Sequence, residues 1–167
     1  MKRMRVYIDT SVFGGYFDDE FDSASRTFFE ALFNGQAISL ISDTLVAELV
    51  DAPERVQDLL EQALRCDSER LGLPEEAEEL RDAYLTAGVL SGKWADDALH
   101  VAHAAVARAD VIVSWNFRHL VNPLRIRGFN GVNAAQGYGP VVIMTPEDVS
   151  RVWKESDDED QEDIRLR

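Results

Sequence analysis

Four short apolar runs separated by segments of helical periodicity constrain this chain more than any other feature. The runs are Val6-Tyr7-Ile8, residues 38–41, Val111-Ile112-Val113 and Val141-Val142-Ile143-Met144. Between them, apolar residues recur at helical spacing. Phe28, Phe29, Leu32 and Phe33 share one face of a helix over 24–33 that Asn34-Gly35 stops. Ser42-Asp43 caps a helix bearing Leu45, Val46, Leu49 and Val50, ended by Pro53. Residues 55–64, 74–89 and 93–108 read as three further helices, 122–138 as loop plus a short helix, and Thr145-Pro146-Glu147-Asp148 opens a last helix. Apolar strands alternating with helices imply a parallel sheet covered on both faces.

Length and composition agree with one domain. The 167 residues are 46% hydrophobic and 29% charged, enough to bury a core without cross-links. Residues 1–153 are assigned to that domain and 154–167 to an acidic, disordered tail. No stretch is apolar enough to span a membrane, and Asp9 interrupts the N-terminal run too early for a secretory leader. The single cysteine, Cys66, can form neither an internal disulfide nor a thiolate zinc site, which points to a reducing, cytoplasmic setting.

The net charge of −14 is the wrong sign for a partner recognised by a basic footprint, and the tail accounts for only −4 of it. Any work on polyanions must use metal ions or local basic clusters. In an open parallel sheet, ligands gather at the carboxyl ends of the strands. Asp9 ends the first run, Glu48 lies on the helix after the second, Asp96-Asp97 open the helix before the third, and Ser114-Trp115-Asn116 follow it. Clustered carboxylates repel one another unless a cation lies between them, and hard oxygen donors suit magnesium or manganese. Such an ion activates water and neutralises phosphodiester charge. Each residue also has a plainer reading: Asp9 as a cap, Glu48 as a solvent-facing residue, Asp96 or Asp97 as a dipole partner, Asn116 as a turn former.

Asp96, His100 and His103 fall on one helical face at a spacing that can bind zinc. The favoured reading makes both histidines core residues with satisfied nitrogens. His119 either orients a phosphate or closes its loop. Walker, dinucleotide-binding and nucleophile-elbow motifs are absent, and Asp9-Thr10-Ser11 lacks the second Asp of an aspartyl-phosphate phosphatase.

The segment Val6-Tyr7-Ile8-Asp9-Thr10-Ser11-Val12-Phe13 resembles the opening of PIN-domain proteins. The segments 42–49, 97–104 and 111–117 are similar to that family's second, third and fourth motifs, and Thr145-Pro146-Glu147 to its closing segment. The resemblance implies a three-layer α/β/α sandwich with a central parallel sheet. It implies a metal-dependent ribonuclease of the VapC type, silenced by a cognate antitoxin and dimeric. Carried over, Asp9, Glu48 and Asp97 become Mg2+ ligands, with Mn2+ as a substitute. Asn116 stands where the commonest pattern has Asp, and an amide brings a carbonyl but no charge. Ser114 and Asn116 would position water or a second ion, and Lys93, Arg118, Arg125 and Arg127 would guide RNA. Two alternatives stay open at this point: an inactive PIN scaffold that binds a protein partner, and a nuclease acting on DNA.

Overall fold

The computed structural model describes residues 2–166. In chain order the elements are β1 (Met4–Ile8), α1 (Thr10–Gly15), α2 (Asp22–Phe33), β2 (Ala37–Ser42), α3 (Asp43–Glu48), α4 (Glu54–Arg65), β3 (Ser68–Leu71), α5 (Glu75–Thr86), a 3-10 turn (Gly92–Trp94), α6 (Ala95–Val106), β4 (Val111–Val113), α7 (Pro123–Gln136), β5 (Ile143–Met144) and α8 (Pro146–Arg165). The five strands form one parallel sheet in the order β3-β2-β1-β4-β5.

Alternation along β1 sets the three layers, because successive side chains point to opposite faces. Val6 and Ile8 pack with Phe13, Phe28, Leu45, Leu59, Val149 and Trp153 on the face covered by α1, α2, α4 and α8. Tyr7 points the other way, among Leu80, Tyr84, Leu99, Val101 and Phe129 of α5, α6 and α7. The result is the α/β/α sandwich with a parallel sheet expected from the sequence. No helix among the described residues is long and apolar enough to cross a membrane.

Three local readings are corrected. β3 is a strand the sequence reading lacks. It is a polar edge strand, laced by ion pairs Arg5–Glu69 (2.6 Å) and Arg70–Asp43 (2.6 Å), so it carries no apolar run. α7 is a full helix of 14 residues, not a loop with a short helix. Its Asn, Pro and Gly residues cap it: Asn122 accepts from the N–H groups of Leu124 and Arg125, Pro123 occupies the first turn, and Gly137 closes it at φ +84°. α3 stops at Glu48, short of Val50, and in the turn that follows Gln57 of α4 donates to the carbonyls of Val50 and Ala52 at 2.8 and 2.9 Å.

α8 runs on through the acidic segment to Arg165. Thr145 caps it, Glu147 and Asp148 occupy the first turn, and Arg165 the last, which matches the helix dipole at both ends. Trp153 is the last of its buried residues.

Candidate metal and phosphodiester site

The strand order reverses at β1, whose neighbours are β2 on one side and β4 on the other, so a crevice opens at the carboxyl ends of β1 and β4. Asp9 sits there, its N–H extending the ladder to the Val113 carbonyl at 3.0 Å. Its carboxylate is buried, 4% exposed. Oδ2 accepts from the hydroxyls of Ser11 (2.6 Å) and Ser114 (2.8 Å), while Oδ1 faces His100 Nε2 at 3.9 Å. Asp9 precedes α1 but makes no side-chain cap bond to it, so the capping reading does not describe its side chain.

Glu48 ends α3 and turns inward, its side chain 30% exposed. His100 Nε2 lies 2.9 and 3.0 Å from its two oxygens, and Thr10 Oγ1 donates to Oε2. His100 is oriented in turn by Tyr7, whose hydroxyl lies 2.6 Å from Nδ1 and 2.8 Å from Ser42 Oγ. Ser42 also caps α3 by accepting from Leu45 N–H. One chain of contacts thus runs from the strand cap through the core to a rim carboxylate.

Asp97 lies in the first turn of α6, and its Oδ2 is 2.7 Å from Nδ1 of the buried His119. The His119 N–H donates to Asn116 Oδ1 at 3.0 Å. The Asn116 carbonyl oxygen therefore closes its own loop, and the Asn116 N–H donates to Ser114 Oγ at 2.9 Å. Ser114 is 0% exposed and its hydroxyl donates to Asp9. Beside Asp97 and His119, the Trp94 ring lies 4.3 Å from the His119 ring and tilted 41° to it, with Lys93 5.0 Å and Arg118 5.5 Å from its centroid. Arg125 is tied to the Val89 carbonyl at 2.6 Å.

His100 reports how the three acids act together. Burial pushes its pKa down, but the Glu48 hydrogen bond and the charges of Asp9, Glu48 and Asp97 outweigh burial and hold it above the usual range. For Glu48, burial works against ionisation, and the bonds from His100 and Thr10 overcome it, so its carboxyl is held low. Asp9 and Glu48 thus face one imidazole, and Asp97 adds only its charge. Among the described residues no three His, Cys, Asp or Glu side chains already stand in metal-binding geometry. The donor set still suits a hard cation: three carboxylates from separate segments, with Oδ1 of Asp9 making no hydrogen bond among the described residues.

His103 lies one turn further along α6, fully buried, 2.8 Å from Thr44 Oγ1 and stacked on Tyr7. Burial and the neighbouring His100 lower its pKa from 6.5 to about 4. Between those values the unfolded chain binds more protons at this residue than the folded one. The contribution is fully present above the unfolded pKa and is lost as pH falls toward about 4. From pH 7 to 4.5 the wild type is expected to lose about 2–3 kcal/mol more stability than His103→Gln. Denaturant melts of both proteins across that range check it, and parallel stability curves would contradict it.

The Tyr7–His100–Glu48 chain and the His119–Asp97 pair were missed as site features. The i, i+3 spacing of Asp97 and His100 on an amphipathic helix was the available signal for His100. Nothing in an apolar strand marks the Tyr7 hydroxyl as a site contact.

The sequence profile of the PIN domain, PIN_3, matches residues 5–118. No curated protein matches the chain. Among solved structures, the crystal structure of VapBC2 from Rickettsia felis bound to a DNA fragment from their promoter is similar at a TM-score of 0.54 and 18% identity. That match covers 85% of this chain and 98% of the other. At this identity the likeness concerns the fold.

Proposed function

The chain belongs to the PIN-domain family, and on that premise we propose that it is a magnesium-dependent endoribonuclease, the toxin of a toxin–antitoxin pair. The observation that carries the reading is the placement of three carboxylates near the reversal point of the sheet: Asp9 and Glu48 both face His100 Nε2, and Asp97 is held by His119 from the loop after β4. Asp9, Glu48 and Asp97 would hold Mg2+, with Mn2+ as a substitute. When bound there, the ion supplies positive charge at the phosphodiester and makes water a better nucleophile.

The chain's own residues do the rest. Ser11 and Ser114 fix Asp9 through one oxygen and leave the other facing His100. His100 and Thr10 hold Glu48 inward, and His119 orients Asp97. Asn116 shapes the loop that carries His119 and leaves its amide nitrogen for water or the phosphate. Lys93 and Arg118, gathered around Trp94 beside Asp97, bind the RNA backbone in a chain whose overall charge repels it. A cognate antitoxin and a second copy of the chain are the proposed protein partners. The family and the VapBC2 fold likeness support the first.

The purified chain is expected to cleave single-stranded RNA in Mg2+, to stop in EDTA, and to resume when Mg2+ or Mn2+ is restored. RNA left intact under all three conditions would sink the reading. A second reading, a partner-binding scaffold without catalysis, is favoured by the amide at position 116 and its capped carbonyl. It predicts protein with no measurable Mn2+ affinity and growth effects indifferent to Asp97.

A further inference from the structure

A cleft of about 710 Å³ lies beside the rim, between the start of α2, the loop after β4, and α8. Its floor is aromatic. Phe21 stacks on Trp115 with ring centres 4.4 Å apart and planes 23° from parallel, and Phe117 lies 6.4 and 6.2 Å from those two rings. Phe117 is 50% exposed, a large apolar area that the fold itself does not use.

The platform is rigid and wired to the site. The Trp115 indole is pressed so close to Gly15 that a Cβ there would meet it at 2.6 Å, and its Nε1–H donates to Ser25 Oγ at 2.8 Å. The Trp115 backbone N–H donates to Ser11 Oγ, the same hydroxyl that holds Asp9. Trp115 and Phe117 flank Asn116 in sequence, so the cleft begins where the candidate site ends. On the α8 wall, Ser150 Oγ is the one fully buried side-chain nitrogen or oxygen without a hydrogen-bond partner among the described residues.

Two cations, Arg151 and Lys154, stand on the same wall, opposed by Glu20 and Glu147. Arg151 already pairs with Asp148 at 3.3 Å. The edge is thus close to neutral in a chain of net charge −14, and phosphate attraction alone cannot make it a polyanion groove. Stacking can, because every nucleobase offers a flat apolar face to an aromatic ring.

We infer that this cleft binds a base of single-stranded RNA neighbouring the cleaved phosphodiester, stacked on Phe117 beside the Trp115–Phe21 pair. The inference deepens the nuclease reading and rests on it for the identity of the polymer. Duplex RNA, whose bases are already stacked on one another, is excluded from the cleft.

The test uses the full chain and Phe117→Ala, with Phe117→Tyr as the conservative variant. A short single-stranded oligoribonucleotide carries 2-aminopurine at each position in turn, and its fluorescence falls on stacking. Phe117→Ala is expected to bind about tenfold more weakly, and Phe117→Tyr within about twofold of wild type. An abasic nucleotide at the responding position should cost the wild type the same factor and Phe117→Ala nothing further. In cleavage assays KM rises with kcat retained. Wild-type binding by Phe117→Ala, or an abasic penalty equal in both proteins, overturns the inference. If the wild type binds the probe through Phe117 yet never cleaves RNA, the nuclease reading fails and the cleft stands. If it cleaves RNA and Phe117→Ala changes neither binding nor KM, the cleft fails and the nuclease reading stands.

Discussion

Replacing Asp9 by Asn is expected to slow magnesium-dependent RNA cleavage by about two orders of magnitude or more, with the fold intact. The substitution keeps shape and removes charge. An amide oxygen still accepts from the Ser11 and Ser114 hydroxyls that hold the carboxylate, so the loss in stability should stay near 1 kcal/mol. What is lost is the negative charge on the oxygen that faces His100. His119→Ala provides the internal scale. It removes the partner that orients Asp97 rather than a carboxylate, and loss of such a supporting bond costs about 10- to 100-fold. Single-turnover cleavage, with thermal melts to verify folding, measures both variants. Cleavage by Asp9→Asn at the wild-type rate would remove Asp9 from the site.

Truncating Phe28 to Ala should be the most damaging of these changes to stability. Phe28 is 0% exposed, packs edge-on against Phe29 with centres 5.3 Å apart, and stacks on Trp153 at 5.7 Å. It joins α2 to the buried end of α8, so the cavity opens where two helices meet the sheet. Phenylalanine-to-alanine changes in such settings cost about 3–5 kcal/mol. For a domain of this size that lowers the melting temperature by roughly 10 °C. Denaturant unfolding followed by tryptophan fluorescence checks it, and a loss below about 1 kcal/mol would mean that α8 is held by other contacts.

The two faces of the sheet were legible because strand alternation needs no knowledge of partners: Val6 and Ile8 fall on one side, Tyr7 on the other. Capping was equally local, as at Ser42, whose hydroxyl accepts from a residue three positions on. β3 was not legible, since an edge strand stabilised by Arg5–Glu69 and Arg70–Asp43 pairs shows no apolar run. In α7, Gly128, Asn130 and Asn133 imitate a loop in composition. Each instead has a tertiary partner: Val89 beneath Gly128, the Val141 backbone for Asn130, and Tyr84 for Asn133.

The candidate site divides in the same way. His100 and His103 are both buried, His100 with both ring nitrogens partnered and His103 with Nε2 on Thr44. That His100 also joins Tyr7 to Glu48 depends on residues 93 and 52 positions away, beyond any local pattern. The likeness of four motifs named the acids, whereas their mutual support by serine, threonine and histidine came only with the fold. The local engagement of the Asn116 carbonyl was likewise invisible, because an amide that closes a turn and one that faces a ligand look identical in a sequence.

Manganese binding tests the central claim most directly. Mn2+ titrated into the wild-type chain, followed by electron paramagnetic resonance of the free ion, is expected to show a specific site. Asp9→Asn, Glu48→Gln and Asp97→Asn should each weaken that site by about tenfold or more. Affinity unchanged in all three variants would mean that these carboxylates do not share a cation, and the proposed chemistry would have no centre.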